Sequence, residues 1–142
     1  MRPISKVFVA CYAGDVREAK LCVTSIRRWY PTIPVHLIKD ESRARFSTRS
    51  LEQAFDVSVY RSGKYGWGVG KLVPLVEEGE GRFLVLDADT IMLGPVIDEL
   101  NKHSDDFVVA GRHVSTFAAG EATSLYRNEA AIRQIHPAYS DR

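Results

Sequence analysis

The chain reads as an α/β domain, a Rossmann-like three-layer α/β/α arrangement on a mostly parallel sheet, and three observations lead there. Short apolar runs alternate with segments of helical period, Val7 to Cys11, then 15 to 30, then Val35 to Ile38, the rhythm of βαβ units. Phe83-Leu84-Val85-Leu86 sets four large apolar residues in a row, which suits a strand covered on both faces. Pro31, Pro34 and Gly94-Pro95 punctuate these runs. At 142 residues, 45% hydrophobic and 26% charged, the whole of 1–142 is expected to be one domain with a real core.

Taken in order, Val7-Phe8-Val9-Ala10-Cys11 is the first strand. Asp15 is then the expected N-cap, with Glu18 three residues on as its capping-box partner. Val16, Ala19, Val23, Ile26 and Tyr30 follow at spacings of three and four, an amphipathic helix. Pro31 and Pro34 end it, and Val35 to Ile38 forms a second strand running out at Lys39-Asp40-Glu41. Further helices are expected over 42–54, with Arg43, Arg45 and Arg49, and over 69–78 despite Pro74. Val57 to Tyr60 is a short third strand between them. The fourth strand starts at Phe83. Pro95 to Leu100 is a short helix, Phe107 to Ala110 a fifth strand and Leu125 to Ile135 a last helix.

The chemistry concentrates where the fourth strand ends. Phe83 to Leu86 delivers Asp87-Ala88-Asp89-Thr90, two carboxylates spaced i, i+2 with a turn close behind. In open α/β sheets ligands bind beyond the carboxyl ends of the strands, where Asp87 and Asp89 stand. Carboxylates buried without a partner are driven to protonate, whereas beside a hard cation such as Mn²⁺ or Mg²⁺ they stay ionised. The pair therefore reads as a divalent-metal site.

Leu86-Asp87-Ala88-Asp89-Thr90, followed by Ile91-Met92-Leu93, resembles the Asp-x-Asp motif of GT-A fold nucleotide-diphospho-sugar glycosyltransferases, glycogenin and its family-8 relatives in particular. The resemblance runs from about Lys6 to Leu100, the N-terminal donor-binding part of that fold. It implies a transferase moving a sugar from a nucleoside-diphosphate sugar, a UDP-sugar favoured, to an acceptor. Asp89 would ligate Mn²⁺ or Mg²⁺, and Asp87 would ligate it or the donor ribose. Ala10, Cys11 and Tyr12, just after the first strand, would cradle base and ribose. The ring and hydroxyl of Tyr12 suit it to stack on a base. Lys71, sixteen residues before Asp87, would meet the donor phosphate or sugar; the plain alternative is a snorkelling lysine. Asp40, ending the second strand, holds a position where nucleotide-binding folds place a carboxylate on base or ribose, and also suits a surface turn.

Departures from the family lie downstream. Its metal-ligating histidine has no counterpart, since neither His113 nor His136 stands at the right position. Val114 to Gly120 lacks the Asn-Ser-Gly type segment usual after the fifth strand. The second half of the fold, which shapes the acceptor site, is not matched, so the expectation is either a truncated GT-A unit or a domain lacking a competent acceptor site.

Other signals are weaker. Gly63 to Lys71 imitates a phosphate loop but carries Tyr65 and Leu72 where glycine and Ser or Thr are required. It reads as a mobile, glycine-shaped loop in which Trp67 either covers the donor on closure or, the favoured reading, anchors the loop to the core. Arg43, Arg45 and Arg49 fit a pyrophosphate or a solvated face. The four histidines show no ligand spacing. A net charge of +1 excludes a nucleic-acid footprint. With no long apolar span or leader pattern, no membrane segment is expected and the cytoplasm is the expected compartment; Cys11 and Cys22 read as small buried hydrophobes. Two rivals remain. A haloacid-dehalogenase-like phosphatase also ends a buried strand on an aspartate, but its Asp-x-Asp-x-Thr pattern breaks at Ile91. A non-catalytic nucleotide-binding module is the other.

Overall fold

Val7, Val9 and Cys11 alternate along the chain with Phe8 and Ala10, so the first strand presents an apolar row to each side and calls for cover on both. The structure, a computed structural model, describes residues 2–66, 68–105 and 108. The elements belong to one unit, Met1–Ser104. They run β1 (Ile4–Tyr12), α1 (Val16–Trp29), β2 (Val35–Asp40), α2 (Arg49–Phe55), β3 (Ser58–Gly63), a 3-10 turn (Val69–Leu72) leading into α3 (Val73–Glu77), β4 (Arg82–Asp87) and α4 (Val96–Leu100). The strands pair in the order β3-β2-β1-β4, all parallel. The α/β class and the parallel sheet agree with the sequence reading.

That order reverses once. The chain moves from β1 through β2 to β3, then returns past β1 to place β4 on its other side. Parallel connections are right-handed, so reversing direction sends the crossover to the opposite face. The packing follows this rule. Val7, Val9, Cys11, Val35 and Leu37 form one buried cluster with Ala19, Cys22, Val23 and Ile26 of α1, Leu51 of α2 and Ile97 of α4. On the other face Gly70 lies against Ile38, and Lys6 reaches the carboxylate of Glu78 at 2.6 Å, which brings the α3 region over the sheet.

At the heart of this second face sits Phe8, fully buried. Its ring contacts His36 of β2 (centroids 5.5 Å apart), Tyr60 of β3 (4.9 Å) and Phe83 of β4 (5.4 Å), so one side chain of β1 meets a ring from each other strand. His36 bonds Ser58 Oγ through Nδ1 at 2.8 Å. Burial, aided by the Lys6 ammonium and opposed by Glu78, lowers its pKa below the ordinary value. A histidine whose pKa is depressed in the fold stabilises it above the unfolded pKa and loses that contribution as pH falls. The melting temperature should therefore drop as pH is lowered from about 6.5 toward 5, and His36→Gln should flatten that slope. An equal slope in the variant would assign it to other groups.

Several boundaries shift from expectation. The helix expected over 42–54 is confined to Arg49–Phe55, because the preceding backbone is committed elsewhere. Asp40 Oδ1 accepts the Ser42 N–H, and Lys39 Nζ donates to the Phe46 carbonyl at 2.8 Å. Arg43 and Arg45 thus precede the helix. Pro74 does not interrupt a helix over 69–78 but starts one: it stands in the first turn of α3, where its missing N–H costs nothing, and the residues before it form the 3-10 turn. Strand β1 extends beyond both expected limits, β2 runs out at Asp40 as expected, and β3 starts one residue later and runs on to Gly63. The expected fifth strand, apart from Val108, the last helix, Trp67, His113 and His136 lie outside the described residues. Among the described residues no helix is long and apolar enough to cross a membrane.

Candidate functional site

The reversal of strand order falls between β1 and β4, so their carboxyl ends flank the crevice in which such sheets take ligands. Register brings the sequence-derived residues together there. Ala10 pairs with Asp87 across β1 and β4, and Tyr12 with Asp40 across β1 and β2. The Ala10 carbonyl accepts the Ala88 N–H at 3.1 Å, stitching β1 to the turn that carries Asp89. That turn closes with Thr90 N–H on the Asp87 carbonyl, also 3.1 Å.

Ala88 and Met92 are buried on either side of exposed Asp89 and pin it. Met92 is held through its main chain: its N–H donates to Ser25 Oγ at 2.9 Å and its carbonyl accepts Trp29 Nε1–H at 3.3 Å. Helix α1 therefore carries the Asp-x-Asp turn on its flank. Burial, with the charges of Asp89 and Asp87 adding to it, pushes the Cys22 thiol up to about 12.

Lys71 Nζ lies 2.5 Å from Asp87 Oδ1, with the two side chains 40% and 47% exposed. The 3-10 turn carrying Lys71 follows Gly66 and Gly68, both at positive φ, where side chains are strained. Lys71 and Asp87, expected from the sequence to meet the same donor, are thus in direct contact.

Tyr12 is partly exposed, its ring lying against Gly14, where a Cβ would fall 2.7 Å from Cε2. The Arg43 guanidinium carbon stands 5.2 Å from the ring centroid, a cation–π contact. Asp40 works against the desolvation that would raise its pKa. Hydrogen bonds from the Ser42 hydroxyl and from the N–H groups of Ser42, Gly66 and Tyr65 hold it below the usual carboxylate range. It thereby ties the 64–66 loop to the end of β2.

Cys11 faces away from the crevice, its side chain buried in the α1 cluster. Burial foremost, then the charge of Asp15, pushes its thiol up to about 12. Its main chain alone is available to a ligand. Since thiolate is the reactive species, neither Cys11 nor Cys22 should react with Ellman's reagent at pH 8 in the folded protein, and both should react in denaturant. Rapid labelling of a native thiol would contradict this packing.

Asp15 is the residue whose position the sequence reading missed. It precedes α1 as expected, but makes no side-chain cap bond, and the capping box with Glu18 does not form. Its carboxylate turns back instead to accept the Tyr12 N–H at 2.6 Å, satisfying a donor that the end of β1 leaves open. Desolvation raises its pKa, and the nearby charges of Glu18 and Asp89 add to the rise. Its place near Asp89 follows from pairing β1 with β4, for which no local pattern exists.

Comparison with protein-family models, with curated proteins and with solved structures finds no match. The site therefore rests on its own geometry. Two carboxylates of oxygen chemistry suit Mg²⁺ or Mn²⁺, which are commonly held by one or two carboxylates with substrate phosphates and water completing the shell. Among the described residues no group of three His, Cys, Asp or Glu side chains is placed to hold an ion. The donor set fits a cation that a bound diphosphate helps to hold.

Proposed function

We propose that the chain is a metal-dependent nucleotide-sugar transferase, or the donor-binding portion of one, of GT-A type. One observation carries this: the Asp-x-Asp pair ends β4 beside β1, at the point where the strand order reverses. The order β3-β2-β1-β4 supports it further, being that of the first four strands of the Rossmann doubly wound nucleotide-binding sheet.

In this reading Asp87 and Asp89 hold Mn²⁺ or Mg²⁺, which when bound supplies Lewis-acid stabilisation to the departing diphosphate. Lys71 adds positive charge beside Asp87. Tyr12 offers its ring to the base, Asp40 stands next to it for the ribose or base, and Ala10 and Cys11 line the floor with main chain. A UDP-sugar is the favoured donor, and the setting is cytoplasmic, where Cys11 and Cys22 stay reduced.

Calorimetric titration of UDP, then GDP, with and without Mn²⁺ tests the reading. Binding that requires the metal is expected. A folded chain that binds neither nucleotide under any of these conditions overturns it, and hydrolysis of a generic phosphate ester would then favour the phosphatase. Metal-dependent binding with no turnover of any donor sugar would leave a binding module.

A further inference from the structure

We infer that Lys71 is an exchangeable internal counter-ion which makes the site take a divalent cation together with a diphosphate and discriminate against the cation alone. The inference rests on the function proposed above and adds how loading of that site is controlled. Lys71 Nζ and Asp87 Oδ1 are 2.5 Å apart, so the ammonium covers an oxygen that a divalent ion needs. The two cations compete for one carboxylate.

Three features make the competition adjustable. Both side chains are about half exposed, so the pair is screened and weak enough to break. Lysine carries a compact charge on a flexible four-carbon stem, able to move between acceptors without moving the backbone. Its main chain is meanwhile held: the Lys71 N–H donates to the Gly68 carbonyl at 3.3 Å, and neighbouring Gly70 is buried against Ile38 and Tyr65. What can change is the side chain's partner.

A diphosphate near Asp87 offers Lys71 a second anion. Once the ammonium turns to a phosphate oxygen, Asp87 regains its full charge for the cation. Asp89 has no ion-pair partner among the described residues, and so keeps its carboxylate for the cation throughout. The consequence is positive coupling between cation and diphosphate, with Lys71 as the element through which each assists the other.

The test measures binding of Mn²⁺ alone, by paramagnetic resonance of the free ion, and of UDP at saturating Mn²⁺, by calorimetry. Wild type, Lys71→Met and Lys71→Arg are compared, with thermal melting of each. Lys71→Met should bind Mn²⁺ alone roughly three- to fivefold more tightly, the scale of an exposed ion pair. It should bind UDP with Mn²⁺ more weakly than wild type, so that the coupling between the two ligands shrinks, while Lys71→Arg restores both values toward wild type. Unchanged or weaker Mn²⁺ binding by a folded Lys71→Met, with UDP still bound by wild type, overturns this inference alone. Failure of wild type to bind UDP with Mn²⁺ overturns it together with the parent reading.

Discussion

Asp89→Ala should abolish metal-dependent binding of UDP while leaving the fold intact. Asp89 is exposed in the turn after β4, and the turn is anchored by its neighbours: Ala88 and Met92 are buried, and the main chain of Met92 is bonded to Ser25 and Trp29. Truncating an exposed side chain between such anchors should change stability by no more than about 0.5 kcal/mol. Removing one of the two carboxylates proposed to hold the cation should cost far more in binding. Loss of even a supporting group at a metal site typically weakens affinity about 10- to 100-fold, so a direct ligand should stand at or beyond the upper end, about 2.7 kcal/mol. Calorimetry at fixed Mn²⁺ reads the loss, and thermal melting shows that it is local. Retained affinity in a folded Asp89→Ala protein would remove the metal from Asp89 and the donor-site reading with it.

Phe8→Ala should be the most damaging single truncation on the α3 face of the sheet. Phe8 is fully buried and its ring contacts His36, Tyr60 and Phe83, one from each of the other strands. Edge-on aromatic pairs stabilise beyond the area they bury, and two, with Tyr60 and Phe83, depend on this ring. Truncating a buried Phe typically costs about 3–5 kcal/mol, the spread reflecting how far the cavity can close. The three rings lining it stand on β2, β3 and β4, strands of one hydrogen-bonded sheet that cannot collapse inward independently, which favours the upper half of that range. For a domain of this size the melting temperature should fall by roughly 6–20 °C. Phe8→Leu, which refills most of the space, should lose much less. A loss below about 1 kcal/mol for Phe8→Ala would show that the aromatic cluster is not the mainstay of that face.

Much of the fold was legible because its signals are local. Alternation at Val7 to Cys11 marks β1, apolar spacings of three and four mark α1, and Phe83 to Leu86 marks β4; each periodicity lies within a few residues of itself. The errors fall where one specific side-chain bond to the nearby backbone outvotes a generic residue preference. Residues 42–48 carry no strong helix breaker, yet stay out of the helix as Asp40 and Lys39 claim their backbone. Asp15 has the right residue type for a cap, yet spends its carboxylate on Tyr12.

The candidate site divides the same way. Asp87 and Asp89 are visible in the sequence because two carboxylates closing an apolar run contradict their surroundings, and that contradiction is local. That Asp87 sits beside Ala10, that Lys71 reaches Asp87, that Arg43 covers the Tyr12 ring and that the Cys11 thiol is lost to the core are facts of pairing between segments up to about eighty residues apart. The amino-acid sequence by itself determined the α/β class and the parallel sheet and singled out the candidate carboxylates, since hydrophobic period and turn residues act over single elements. Only the tertiary structure decided the strand order, the reversal between β1 and β4 and the partners of each charged group. Those depend on which strands pair and to which face each crossover is sent, and no run of neighbouring residues encodes that choice.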